Sequence, residues 1–148
     1  MSGQALEIVE ITSTDTHALR ASVLRFDTPT KEVVFPEDDW PGSWHLGVLR
    51  EGVLVATSSW VPREHDGRPA VQLRGMATAR GLQGSGIGGQ LLHAGCELVR
   101  AKGFTLVWAR ARDAALEFYL RHDFAVEGAG FVDQATQLPH HLVVRTLA

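Results

Sequence analysis

The spacing of apolar positions changes several times along the chain, and each change marks an element. Leu6-Glu-Ile-Val-Glu-Ile11 mixes β-branched with acidic residues and predicts a half-buried first strand. Ser13-Thr-Asp-Thr16 offers helix N-caps, and Ala18 to Arg25 then predicts a short helix. Residues 26–43 lose the pattern and carry prolines at 29, 36 and 41, so a loop-rich segment is expected there. Two apolar segments, Trp44 to Arg50 and Val53 to Val61, flank Glu51-Gly52, a short hairpin signal. Pro62 to Pro69 is a polar turn that leads into a strand from Ala70 to Thr78.

A helical period follows. Apolar residues at 87, 91, 94, 98 and 101, with 92, 96 and 99 alongside, predict a helix from Gly86 to Lys102 with one face on a sheet. Gly103 is placed to end it, and Phe104 to Ala109 reads as a buried strand. Arg112 to His122 predicts a second helix carrying Ala115, Leu116, Phe118, Tyr119 and Leu120. Phe124 to Phe131 and His141 to Leu147 predict the last strands, joined by a loop through Pro139. The order β-α-loop-β-β-β-α-β-α-β-β describes an α/β chain, a mixed sheet with helices on its faces. No repeat or linker divides the 148 residues, so one domain is expected over residues 1–148.

Composition narrows the partners. The net charge of −3 gives no electrostatic reason to expect nucleic acid. The longest apolar runs fall far short of the roughly 20 residues that span a bilayer, so no membrane partner is expected. The start, Met-Ser-Gly-Gln-Ala-Leu-Glu, lacks the basic and apolar regions of a secretory signal, and the cytoplasm is the expected address. One cysteine, Cys96, excludes an internal disulfide and falls inside the helical pattern as a small hydrophobe.

The chemistry concentrates in Leu73-Arg-Gly-Met-Ala-Thr-Ala-Arg-Gly-Leu-Gln-Gly-Ser-Gly-Ile-Gly88. A strand feeds a glycine-rich turn that opens straight into a helix. Glycines at 84, 86, 88 and 89 bend freely and keep side chains away from a ligand. The first helical turn presents unpaired N–H groups and a positive dipole end, which suit phosphate. Gly84 to Gly89 also satisfies GxGxxG, but a dinucleotide site would need an acidic ribose partner about 20 residues on. Positions 98–112 contain no acid, and no Gly-Lys-Ser/Thr follows to make a Walker A loop. A glycine-rich connection without a ligand is the plain alternative.

Gln83-Gly-Ser-Gly-Ile-Gly88 resembles the Arg/Gln-x-x-Gly-x-Gly/Ala signature of the GNAT family of N-acetyltransferases. Ala111-Arg-Asp-Ala-Ala-Leu-Glu-Phe-Tyr-Leu-Arg-His-Asp-Phe124 is similar to the family's later motif. Gln72 to Ala77, Trp108 to Arg112 and Pro139 to Arg145 also resemble a branch of the family. The chain departs from the pattern twice: Arg112 stands where Asn is frequent, and Asp123 replaces the closing Gly. The second change predicts a helix that ends without its αL residue, at a cost of about 1 kcal/mol.

The resemblance implies a mostly antiparallel sheet of six to seven strands, splayed between strands four and five, with helices on both faces. It implies acetyl-CoA as cosubstrate, no metal, and a small-molecule or peptide amine as acceptor; homodimers are common in the family. Backbone groups of Met76, Ala77 and Thr78 would pair with the pantetheine arm, and the Met76 N–H would support the oxyanion. Amides of Gln83, Gly84, Ser85, Gly86, Ile87 and Gly88 would hold the pyrophosphate, Arg112 would meet a CoA phosphate, and Ala115 would line the site. Arg80 would add charge near the phosphates or lie in solvent.

Tyr119 would be the general acid that protonates the leaving thiolate, against the plain alternative of a core tyrosine. Glu37, Asp38, Asp39, His45, His140 and His141 are the candidate bases, each of them also readable as a structural or solvated group. Adjacent histidines on a strand point to opposite faces, so His140 and His141 do not suggest a shared metal. Acids at 37–39 beside Trp40 and Trp44 would suit a cationic amine or simply form a solvated loop. Two other readings stand beside the enzyme: a non-catalytic acyl-CoA sensor, and a nucleotide-binding domain using the same turn.

Overall fold

A computed structural model describes residues 5–147. The hairpin signal at Glu51-Gly52 is a two-residue turn in which both residues take positive φ, 51° and 80°, matching the twist of the strands it joins. Those strands are β2 (Trp44–Arg50) and β3 (Val53–Pro62). With β1 (Leu6–Ile11), β4 (Val71–Thr78), β5 (Leu106–Arg112), β6 (Ala125–Val132) and β7 (Pro139–Thr146) they form one sheet, ordered β1-β2-β3-β4-β5-β7-β6. Every neighbouring pair is antiparallel except β4 and β5. This is the mixed, mostly antiparallel sheet expected.

Between the first strand and the hairpin, the chain winds through a helical run at Thr14–Thr16, α1 (His17–Leu19) and Arg20–Leu24, in 3-10, α and π geometry in turn. The expected caps at 13–16 are displaced by one residue. Ser13 is already helical at φ −59°, ψ −38°, and the reciprocal bonds join Thr12 and Asp15: Thr12 N–H donates to Asp15 Oδ2 and Asp15 N–H to Thr12 Oγ1.

The central helix α2 (Ile87–Ala101) buries Leu91, Leu92, Cys96 and Val99 on the sheet. Gly103 at φ 94° ends it with two bonds, Gly103 N–H to Arg100 O and Phe104 N–H to Val99 O, which satisfy carbonyls of the last turn. Gly95 lets α2 lie on an indole: a Cβ there would stand 1.8 Å from Trp60 Cζ2. Trp60 is fully buried, stacks on Trp44 and donates its N–H to Ser58 Oγ at 2.8 Å.

Ser59, next along β3, points to the opposite face and meets the helical run. There Arg20, also fully buried, donates to both Asp38 oxygens at 2.8 and 2.9 Å and to Ser59 Oγ at 2.8 Å. Helical segments thus cover both faces.

The short helix α3 (Leu116–Arg121) follows a 3-10 turn at Asp113–Ala115. The expectation that it ends without an αL residue is overturned. Asp123 takes φ 71°, and His122 and Phe124 N–H both reach Tyr119 O, at 3.0 and 3.1 Å. Aspartate tolerates this region better than most side chains, so the turn keeps its shape and stores some strain. Among the described residues, no helix is long and apolar enough to cross a membrane.

Candidate active site

The gap at the centre of the sheet begins where β4 leaves β5. Only Val71↔Val107 and Gln72↔Trp108 are in register; beyond them the two strands share no pairs. On its other side β4 shifts register against β3 between Thr57 and Ser59, and Gly75 sits in that bulge at φ 61°. A bulge of this kind increases local twist, which turns the end of β4 away from β5. Met76 lies in the bulge, outside the pairs Ser59↔Arg74 and Thr57↔Ala77.

Two cavities open on this gap. The larger, about 630 Å3, is lined by Met76, Ala77 and Thr78 at the end of β4 and by Gln83, Gly84, Gly86 and Gly88 of the turn. Gly84 and Gly86 adopt φ 81° and 91°, and a Cβ on either would meet no atom within 4 Å. The helix therefore starts on a left-handed glycine with no side-chain cap. Its first internal bond is Gln90 N–H to Gly86 O, so the preceding amides of the turn have no helical acceptors, although Ser85 N–H donates to Leu82 O at 3.3 Å within the turn.

Ser85 and Ile87 do not line the cavity with their side chains. The Ser85 hydroxyl donates to Leu82 O, and Ile87 is 4% exposed within the core. Gly89 is a packing glycine, since a Cβ would lie 2.6 Å from the His122 ring. The smaller cavity, about 200 Å3, lies between Arg25, Phe35, Arg74, Arg110, Asp133 and His140.

Five residues line both cavities: Leu24, Met76, Arg112, Ala115 and Tyr119. Arg112 stands at this junction, donating to Leu24 O and lying 3.8 Å from Asp27. Tyr119 is 6% exposed, packed edge-on to Phe118 and Phe124. Burial drives its phenol well above the ordinary value, with a smaller push from Cys96 nearby. Its hydroxyl is therefore neutral, and its side chain lines both compartments.

The candidate bases separate cleanly. Asp38 is bound by Arg20 and accepts the Phe35 N–H at 3.1 Å. Burial raises its carboxyl, but the hydrogen bonds and charge of Arg20 outweigh that and hold it below the ordinary range. His45 spends both ring nitrogens, on Ser59 Oγ at 2.7 Å and Asp38 O at 3.1 Å. Glu37 pairs with Arg74, and His141 Nδ1 lies 2.7 Å from Asp113 Oδ1. His140 alone among them lines the smaller cavity. Its Nδ1 is 2.9 Å from Leu138 O, an acceptor, so Nδ1 carries the proton and Nε2 is the basic nitrogen.

Two sets of comparisons bear on this arrangement. A profile described as the acetyltransferase (GNAT) family matches residues 8–124. The chain belongs to that family. It is 30% identical over 119 residues to the uncharacterized N-acetyltransferase YitI of Bacillus subtilis (strain 168), covering 78% of this chain and 80% of that protein. An acyl-CoA N-acyltransferase from Pseudomonas aeruginosa superposes with a TM-score of 0.78 at 21% identity, over 95% of this chain and 99% of that one. An aminoglycoside 6'-N-acetyltransferase complexed with coenzyme A superposes with a TM-score of 0.75 at 12% identity, over 96% and 97% of the two chains. At these identities the two structures speak for the fold. Family membership puts the activity in the acetyltransferase class.

Within this GNAT fold, several site residues escape the pattern of the chain. Gly75 had a usable signal, an isolated glycine in a strand, which marks a bulge. Arg25, Arg74 and Arg110 had none, because they come from an irregular segment and two different strands. Trp44 and the acids at 37–38 prove structural: Trp44 is 6% exposed behind Trp60, and both acids are engaged by arginines. His65, Asp66 and Glu127 bring ligand atoms within 4.8 Å of one another, but none of the three lines either cavity. His65 Nε2 already lies 2.5 Å from Glu127 Oε1.

Proposed function

We propose that this chain transfers the acetyl group of acetyl-CoA to a primary amine by direct attack in a ternary complex. The observation that carries the reading is that Tyr119 and Met76 line both compartments. One compartment ends on uncapped helix amides suited to a diphosphate, and the other has room for a small acceptor. The pantetheine arm lies along Met76, Ala77 and Thr78 in the splayed gap. Amides of residues 83–88 hold the pyrophosphate, those of Ser85 and Ile87 through backbone alone, and Ala115 forms the wall beside the thioester.

The acceptor enters as an ammonium ion and gives its proton to His140 Nε2. Its lone pair attacks the thioester carbon, and the carbonyl oxygen gains charge facing the Met76 N–H. Collapse of that adduct breaks the C–S bond, the thiolate takes the phenolic proton of Tyr119, and the second proton on nitrogen passes to the phenolate, which leaves a neutral amide and a neutral tyrosine. A free thiol has a pKa of about 8.5 and a phenol about 10. The apolar walls that raise Tyr119 also disfavour a bare thiolate, so the proton moves as the charge develops.

The support for acetyl-CoA is the family together with the coenzyme A bound to the aminoglycoside 6'-N-acetyltransferase. The test is Tyr119→Phe. Its turnover falls tenfold or more, while acetyl-CoA affinity by calorimetry stays within twofold. An unchanged turnover number removes Tyr119 from the reaction, and an acetyl-CoA titration without binding removes the donor.

A further inference from the structure

The smaller cavity carries a charge pattern that the donor does not explain. Arg25, Arg74, Arg110 and Arg112 all line it, and Asp133 is its one lining carboxylate. Three of the four arginines have acidic partners. Arg110 bonds Asp133 Oδ1 at 2.7 Å, Arg74 pairs with Glu37, and Arg112 lies 3.8 Å from Asp27. Glu37 and Asp27 stand outside the lining, so they balance charge without filling the space.

Arg25 differs. Its guanidinium donates to backbone only, Nε to Glu32 O at 3.0 Å and Nη1 to Leu24 O at 3.3 Å. Among the described residues no carboxylate lies within ion-pairing distance of it. Arg20, Arg74 and Arg25 also surround the Phe35 ring, at 3.9, 4.6 and 5.5 Å from its centre. A half-buried guanidinium among other cations has an unmet demand for an anion.

Resting on the acetyltransferase reading above, we infer that the acceptor is a small amine that also carries an oxyanion, and that Arg25 receives it. Carboxylate and phosphate monoester share the required chemistry. The volume of about 200 Å3 admits a molecule of amino-acid size. A polycation would add like charge to this wall. An anionic amine neutralises it, and the same positive field helps the ammonium lose its proton before attack. Arg74 registers that field: burial first, then Arg20, Arg110 and Arg25, bring its pKa down from 12.5 to about 10.

The experiment pairs acids with their neutral or cationic counterparts under saturating acetyl-CoA. The free amino acids and β-alanine are compared with their amides, phosphoethanolamine with ethanolamine, and spermidine serves as the polycation. The oxyanion member of the best pair is turned over with at least tenfold higher kcat/KM than its partner, and Arg25→Gln removes that advantage while Arg25→Lys keeps part of it. Preference between the carboxylate and phosphate arms identifies the group. A readout free of turnover is calorimetry of CoA-loaded protein with the N-acetyl amino acids and their amides, where the acids bind at least tenfold more tightly. Failure of acetyl-CoA to bind refutes the reading underneath. Acetyl-CoA binding with amides equal to acids, with spermidine preferred, or with neither N-acetyl series bound overturns this inference alone.

Discussion

Replacing Gly75 by alanine tests the feature on which the gap in the sheet depends. Two costs are separable. At φ 61° an alanine costs about 1–2 kcal/mol in the left-handed region. Loss of glycine's freedom in the unfolded chain returns roughly 0.4–1 kcal/mol of that. The new Cβ would also stand 2.9 Å from Arg20 Nε, with Nη2 at 3.4 Å and Cζ at 3.5 Å. Arg20 cannot swing aside, because it is fully buried and held by Asp38 and Ser59. Stretching these charge-assisted bonds adds about 1–2 kcal/mol.

A total loss of about 2–3 kcal/mol is therefore expected for Gly75→Ala. Gly67→Ala is the control: its φ is 77°, but nothing lies within 4 Å of the new methyl, so only the conformational cost of about 1 kcal/mol applies. Urea unfolding of both variants at equal m-values measures the difference, and acetyl-CoA affinity falls only in Gly75→Ala. Equal stability losses in the two would refute the claim that Arg20 buttresses the bulge.

Other perturbations follow from the same geometry. Gly95→Ala adds a methyl 1.8 Å from the Trp60 ring; overpacking of about 1–3 kcal/mol or more outweighs a helix-propensity gain of about 1 kcal/mol, so the melting temperature drops. Asp123→Gly relieves an αL aspartate and stabilises by about 0.5 kcal/mol in urea unfolding; a loss would show that its exposed carboxylate, 4.0 Å from Arg145, matters more than the backbone. Burial raises the Asp133 carboxyl, but bonds from Arg110 and from the Thr136 N–H and hydroxyl bring it down from 3.8 to about 2. A depressed folded value means stability present above pH 3.8 and lost as pH falls toward 2, so Asp133→Asn flattens the urea midpoint between those values.

Local pattern was enough for most elements, because strand and helix periods and turn glycines act over a few residues. Glu51-Gly52 and Gly103 do what their positions predict, and the glycine turn from 84 to 88 stands at the uncapped start of α2. Asp123 shows the limit of residue-type reasoning: the turn required the left-handed region and a non-glycine residue took it.

The second cavity was beyond reach of the chain order. Its arginines come from residues 25, 74, 110 and 112, and its acid from 133. An acid in a loop looks the same whether it faces solvent, as Asp39 does, or is consumed by a buried arginine, as Asp38 is. Pairing of charges distant in sequence depends on how the sheet twists and where the irregular segment folds back. The chain alone determined a strand, a glycine turn and a helix that starts without a side-chain cap. Only the tertiary structure decided which charges cancel and which arginine lines the cavity without an acidic partner among the described residues, because Coulomb and hydrogen-bond partners are chosen by distance in space.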